Sequence, residues 1–94
     1  MPRGAQPHAS HKRLTALLVV ALASGADGLD DIRTIVAQAP SRLAAGGWLL
    51  LEHGWDQATA VRGLLSAAGF TSVASRRDLA GIERCSGGRW PERG

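Results

Sequence analysis

The residues in this sequence best suited to chemistry stand at the end of a short apolar run. Two glycines open the run 48–51, and Glu52, His53 and Gly54 close it. A carboxylate and an imidazole in this position could line a substrate or cofactor pocket, because the working groups of open α/β sheets collect where strands end. The alternative is a polar strand end that neighbouring amides satisfy. We favour this alternative and assign neither Glu52 nor His53 a catalytic role.

Metal and thiol chemistry have little support in the sequence. Cys85 is the only cysteine, so an internal disulfide and a cysteine zinc site are excluded. One thiol fits a reducing compartment, and we expect Cys85 to be a small buried apolar residue. His8 and His11 stand three positions apart without a nearby third ligand, so no metal site is expected.

The positive charge of the chain is carried by arginine. The formal net charge is +3, and Lys12 is the only lysine. A small basic patch of the kind that binds nucleic acid could form from Arg76, Arg77, Arg84, Arg89 and Trp90. We favour solvated strand faces instead, and expect no nucleic-acid partner. No apolar run reaches the roughly 18 residues that suggest a membrane-spanning helix, so no membrane partner is expected.

These side chains must be positioned by strands and helices that the hydrophobic pattern predicts. The run 48–52, bounded by glycines, predicts a strand buried on both faces. A helix begins near Leu29 with Asp27 or Asp30 as its cap, and Pro40 ends it because proline lacks an amide donor. Its apolar face is expected at Ile32, Ile35, Val36, Ala39 and Leu43.

A second helix and two strands follow the run 48–52. Asp56 can cap this helix, and Gly69 suits the left-handed position that ends it. Its buried stripe is expected at Ala58, Val61, Leu64, Leu65 and Ala68. Strands are predicted at 71–77 and 82–86, antiparallel to each other. The order helix, strand, helix, strand, strand predicts an α/β fold, the trailing half of a doubly wound sheet with one reversed hairpin.

Residues 1–20 are expected to stand apart from this domain. Residues 1–10 are polar and rich in Pro, Gly and His, which predicts disorder. Alternatively, the basic residues 11–13, the apolar stretch 14–23 and the small residues before Ser24 could form a secretory signal. We therefore expect one domain at 21–90 and a tail at 91–94. A cytoplasmic location is favoured, and a secreted one stays open.

Three stretches together resemble the C-terminal half of the release factor glutamine methyltransferases. They are residues 21–30, residues 46–57 (GGWLLLEHGWDQ) and residues 76–90, which open with RRDLAG and close with ERCSGGRW. The first resembles the lead into the helix before the family's fifth strand. The second resembles that strand and the start of the next helix, and the third resembles the closing hairpin. All three in order are specific to the protein-glutamine branch.

The resemblance implies a seven-stranded, Rossmann-like methyltransferase sheet that uses S-adenosylmethionine as cofactor. It implies methyl transfer to the side-chain amide of the glutamine in the Gly-Gly-Gln loop of peptide chain release factors, which would be the partners. In the family, a glycine-rich loop holds the cofactor, and an Asn-Pro-Pro-Tyr motif after the fourth strand orients the amide.

The sequence departs from this family pattern at both motifs. It contains neither Asn nor Tyr, and Gly25 and Gly28 are too isolated to form the cofactor loop. No catalytic, cofactor-binding or metal residue is therefore assigned. The chain is expected to be inactive alone, as the product of a truncated or mis-started gene.

Two other functions stay open. The chain could be a fragment of a nucleic-acid methyltransferase, or a small secreted or partner-binding protein built from a recycled half-domain. As a fragment, the strand 48–52 would lack its fourth-strand neighbour and expose an apolar sheet edge. Self-association through that edge is therefore expected.

Overall fold

The computed structural model describes residues 12–92. The elements are β1 (Leu14–Val20), α1 (Asp30–Gln38), a 3-10 turn (Ala39–Ser41), β2 (Leu43–Glu52), α2 (Ala58–Ala67), β3 (Thr71–Arg77) and β4 (Glu83–Arg89). The four strands form one sheet in the order β1-β2-β4-β3. β1 and β2 are parallel, and β4 is antiparallel to both of its neighbours. The predicted α/β fold with a reversed C-terminal hairpin is confirmed.

β1 corrects the expectation that residues 1–20 stand apart from the domain, because residues 14–20 form a strand of its sheet. The strand pairs with β2 in the register Leu17↔Leu49, Leu18↔Leu50 and Val19↔Leu51. Its uninterrupted apolar and β-branched sequence suits a strand beside another apolar strand. β2 therefore has a parallel neighbour, and the prediction that its edge is exposed is wrong. Residues 1–11, with His8 and His11, lie outside the described residues.

β2 is longer than predicted and is buried on one face only. It begins at Leu43, which was expected on the first helix, and passes through Gly46, whose φ of +80° is a left-handed conformation that glycine tolerates. Leu43, Leu49 and Leu51 are completely buried, whereas Trp48 and Leu50 are 38% and 36% exposed. The prediction of burial on both faces is wrong, because both helices pack on the same face of the sheet.

The core lies between the two helices and the covered sheet face. Its buried residues are Ile32, Val36 and Ala39 from the first helical segment, Leu43, Leu49 and Leu51 from β2, Val61 and Leu65 from α2, and Phe70. The predicted helix faces are confirmed, except that Ile35, Leu64 and Ala68 are only partly buried and that Leu43, expected on the first helix, lies in β2. Gly69 ends α2 with φ +99°, and the Phe70 amide donates to the Leu65 carbonyl over 3.1 Å.

β4 extends three residues past its predicted end because glycines permit it. A Cβ on Gly87 would lie 2.7 Å from the Leu49 carbonyl oxygen, and one on Gly88 would lie 2.9 Å from Cβ of Phe70. Without those atoms β4 fits between β2 and β3. Trp90 then packs edge-on against Phe70 with 5.1 Å between the ring centroids.

Candidate functional site

Glu52 and His53 lie where β2 ends, beside the end of β1. Glu52 is opposite Val20 of β1 and Cys85 of β4, and its backbone carbonyl accepts the Ala21 amide over 2.8 Å. Its side chain is exposed, whereas His53 is only 7% exposed. The two residues are thus brought to one sheet edge, but the carboxylate faces solvent and the imidazole faces the interior.

Both ring nitrogens of His53 are engaged by the protein. Nδ1 lies 2.9 Å from the Gly54 carbonyl oxygen, which can only accept, so Nδ1 carries the proton. Nε2 lies 2.7 Å from the hydroxyl of Ser86, which is 1% exposed, and forms a hydrogen bond with it. Both ring nitrogens are therefore occupied within the protein, and neither is free to act on a substrate.

The hydrogen-bond chain continues from Ser86 to the surface. The Ser75 hydroxyl lies 2.6 Å from Ser86 Oγ, so the two hydroxyls share a hydrogen bond. Arg62 donates to Ser75 over 2.6 Å and lies 3.4 Å from the Glu83 carboxylate. These hydrogen bonds join α2 and β3 to β4 and the end of β2. Arg62 reaches from α2 to the Ser75 hydroxyl of β3.

A cavity of about 460 Å3 opens beside these residues. Its walls include Val20, Glu52, His53, Arg76, Arg84 and Cys85. Arg84 is 3.0 Å from the Asp78 carboxylate. Asp78 also accepts the Ile82 and Ala80 amides, and these bonds with the guanidinium hold its pKa below the usual value. Part of the basic cluster is thus neutralised, and Asp78 closes the β3–β4 turn.

Cys85 is half-buried on the sheet rather than fully buried, which corrects the prediction. Burial raises the pKa of its thiol, and the neighbouring Glu52 carboxylate raises it further. The thiol is therefore protonated near neutral pH and is a poor nucleophile.

The β1–α1 loop lies at the same end of the sheet, so we asked whether its backbone amides could bind a cofactor. Gly25 and Gly28 lie in this loop, directly after β1. The first amides of α1 are nevertheless taken by the loop itself: Leu29 donates to the Asp27 carboxylate, and Asp31 donates to Ser24 Oγ over 2.9 Å. The described residues therefore do not fit a cofactor that needs free loop amides.

The same loop is tied to the start of α2 by Gln57. Its side chain accepts the Gly54 amide over 2.8 Å and donates to the Gly28 carbonyl over 3.0 Å. Asp56, the predicted cap of α2, makes no capping bond, and Gln57 occupies the N-cap position. A second cavity of about 520 Å3 lies between the loop and α2.

Sequence reasoning placed Glu52 and His53 at the correct edge but missed Arg62, Ser75 and Ser86. The alternation of Ser75 and Val73 toward one sheet face was a usable signal. The meeting of Ser86 with His53, however, depends on β4 lying beside β2, which the local pattern did not indicate.

Among residues 12–92, no group of three or more His, Cys, Asp or Glu side chains is placed to hold a metal ion. Within the same residues, no helix has the length and apolar character to cross a membrane.

Two curated relatives of this chain carry the same name. A release factor glutamine methyltransferase of Pseudomonas aeruginosa is 56% identical over 84 residues, which are 89% of this chain and 30% of that protein. One of Burkholderia pseudomallei is 65% identical over 71 residues, 76% of this chain and 25% of that protein. No protein-family model matches the chain.

A solved structure gives the same result in three dimensions. A release factor-specific protein-(glutamine-N5) methyltransferase from Alicyclobacillus acidocaldarius superposes with a TM-score of 0.67 at 28% identity, over 88% of this chain and 52% of that chain.

The Pseudomonas alignment leaves only ten of the 94 residues outside it, so it includes at least 11–84 and hence β1. The chain spans 25–31% of the length of these curated relatives. It belongs, as a segment, to the release factor glutamine methyltransferase family.

Proposed function

We propose that this chain is the trailing segment of an enzyme that methylates a glutamine side-chain amide of a peptide chain release factor. The methyl donor is S-adenosylmethionine. The observation that carries the proposal is the 56% identity to a release factor glutamine methyltransferase, combined with the similarity of the sheet to a solved enzyme of that name.

In this proposal the segment lines part of the active site and supplies no reacting group. Glu52 and the arginines at the cavity would contact substrate or neighbouring parts of the enzyme. The hydrogen bonds that link His53 to Ser86 would keep the end of β2 rigid. Orientation of a weakly nucleophilic amide depends on such rigid placement. The residues that hold the cofactor and grip the amide are not among those of this sequence, which has no Asn and no Tyr.

A chimera tests this proposal directly. The matching segment of the Pseudomonas enzyme is replaced by this chain, and methyl transfer to its purified release factor is followed with labelled S-adenosylmethionine. We expect the chimera to methylate the glutamine. The chain alone and the enzyme with the segment deleted serve as controls, and both are expected to be inactive. A folded chimera without methyl transfer would overturn the proposal, and saturable cofactor binding by the chain alone would contradict its division of labour.

The proposed partner also implies a place in the cell. Release factors act in the cytoplasm, so we propose a cytoplasmic location. Sequencing of the protein's N-terminus after expression tests this, since a chain that begins at Ser24 would instead support the secreted alternative. A nucleic-acid methyltransferase fragment is the weaker candidate, because Arg84 and Arg89 of the basic cluster pair with Asp78 and Glu92.

A further inference from the structure

The side chain of Gln57 joins the two loops that follow the parallel strands. Its amide oxygen accepts the Gly54 amide over 2.8 Å, in the loop after β2, and its amide nitrogen donates to the Gly28 carbonyl over 3.0 Å, in the loop after β1. Both loops leave the carboxyl ends of β1 and β2, where open α/β sheets hold their ligands. One amide group therefore sets the distance between the two loops.

Both contacts are made at glycines, which let the amide come close to the backbone. A Cβ on Gly28 would lie 3.3 Å from Nε2 of Gln57, and one on Gly54 would lie 3.2 Å from Oε1. Gly28 also has φ +77°, a conformation that residues with a Cβ rarely adopt. The backbone of Gln57 is fixed as well, since its own amide donates to the Gly54 carbonyl over 3.1 Å. The bridge is therefore closely packed at both ends.

The bridge connects two parts of the chain that other bonds hold together. In the β1–α1 loop, the amides of Asp30 and Asp31 donate to the backbone carbonyl and the side chain of Ser24, which ties the loop to α1. Gln57 is the N-cap residue of α2, and its side chain makes no capping bond there. A shift at its amide would therefore move the β1–α1 loop relative to the end of β2 and to Glu52.

We propose that Gln57 is a positioning residue for methyl transfer, which fixes the β1–α1 loop against the end of β2 and touches neither substrate nor cofactor. This assignment rests on the proposed function, in which the segment lines part of the active site. Because misplacement by about 1 Å can slow a reaction about a hundredfold, loss of the bridge should lower kcat. The KM for S-adenosylmethionine should stay within about twofold, since the residues that hold the cofactor are not in this sequence.

Two substitutions separate the halves of the bridge. Gln57→Glu keeps an oxygen that accepts the Gly54 amide but has no hydrogen to donate to the Gly28 carbonyl near neutral pH, and Gln57→Met makes neither bond. In the chimera with the Pseudomonas enzyme, both variants should lower kcat about tenfold or more. Gln38→Glu, the same change at an exposed site of α1, is the control and should keep native kcat. Native kcat in both Gln57 variants of an active chimera would overturn this assignment alone.

A second control separates positioning from stability. Val36→Ala removes methyl groups from the buried face of α1, and should lower the melting temperature of the chimera at least as much as Gln57→Glu does. Its kcat, measured well below both melting temperatures, should be native. If kcat instead followed melting temperature across these variants, Gln57 would be a structural residue and the proposal would be overturned.

Hydrogen exchange of the same chimera tests the bridge without reference to activity. Both Gln57 variants should speed exchange in residues 22–29, and Gln57→Met should also speed it in residues 53–57, where Gly54 loses its acceptor. Exchange in β2 and β4 should stay native. Unchanged exchange in residues 22–29 would overturn the proposal at any level of activity. A native chimera that transfers no methyl group would instead overturn the proposed function, and this assignment with it.

Discussion

At the residue scale, the most constrained group is His53. Its position after β2 suggested a pocket residue, and it does border the cavity, but its imidazole bonds to Gly54 and Ser86. A buried imidazole without partners would cost free energy, so the serine hydroxyls are what allow a histidine at this strand end. The position could be predicted from the sequence. The serine partners could not, because they come from strands distant in the chain.

A substitution of Ser86 tests how far the buried His53 depends on its hydrogen bond to this serine. Ser86→Ala leaves Nε2 of His53 and the Ser75 hydroxyl each without this hydrogen-bond partner, and should lower the free energy of unfolding by about 1–3 kcal/mol. Urea denaturation measures this change. Ser66→Ala, at an exposed site on α2, is the control and should stay within about 0.5 kcal/mol of the native chain. Equal effects of the two variants would show that the buried hydrogen-bond chain adds no stability.

Asp27 gives a residue-scale prediction of pH dependence. Its hydrogen bond from Arg33, with one from the Leu29 amide, lowers its pKa from 3.8 to about 2. A lowered folded-state pKa means that the stabilisation is present above the unfolded value and is lost as pH falls through the folded value. The melting-temperature difference between the native chain and Asp27→Asn should therefore be constant above about pH 4 and close between about pH 4 and 2. Ser66→Ala, an exposed control that removes no ionisable group, should show no such convergence.

At the scale of elements, close backbone approach determines where β4 can lie. Both helices, the hairpin strands and the ends set by Pro40 and Gly69 could be predicted, because these signals are local in the sequence. β1 was missed because an apolar stretch after basic residues also fits a signal peptide. The insertion of β4 between β2 and β3 depends on Gly87 and Gly88, which a sequence pattern marks only as a turn or tail.

Two glycine substitutions of opposite sign test this account. Gly87→Ala would place a methyl group 2.7 Å from the Leu49 carbonyl oxygen, and should destabilise the protein by about 1–3 kcal/mol. Gly63→Ala lies on α2 with no atom within 4 Å of the new Cβ, and should stabilise it by about 0.4–1 kcal/mol. Thermal or urea unfolding gives both values. Stabilisation by Gly87→Ala would mean that β4 does not approach β2 this closely.

At the scale of the whole molecule, the fold is a two-layer arrangement with one open sheet face. An apolar run such as 48–51 predicts a strand covered on both sides, and that expectation assumes helices on each face. Here α1 and α2 lie on one face, so alternate residues of the run are left in contact with solvent. How many layers a sheet has is a property of the assembled domain, which explains why the run alone could not reveal it.

Lysine substitutions at adjacent positions of β2 distinguish the two faces. Leu50→Lys places its charge on the open face and should change the free energy of unfolding by less than about 1 kcal/mol. Leu49→Lys would bury an unpaired charge among α1, α2 and Phe70, and should abolish the cooperative unfolding transition. Urea denaturation at matched protein concentration compares them, and fluorescence of a dye that binds apolar surface should fall with Leu50→Lys. If both lysines proved equally damaging, the supposedly open face would have to be covered in solution.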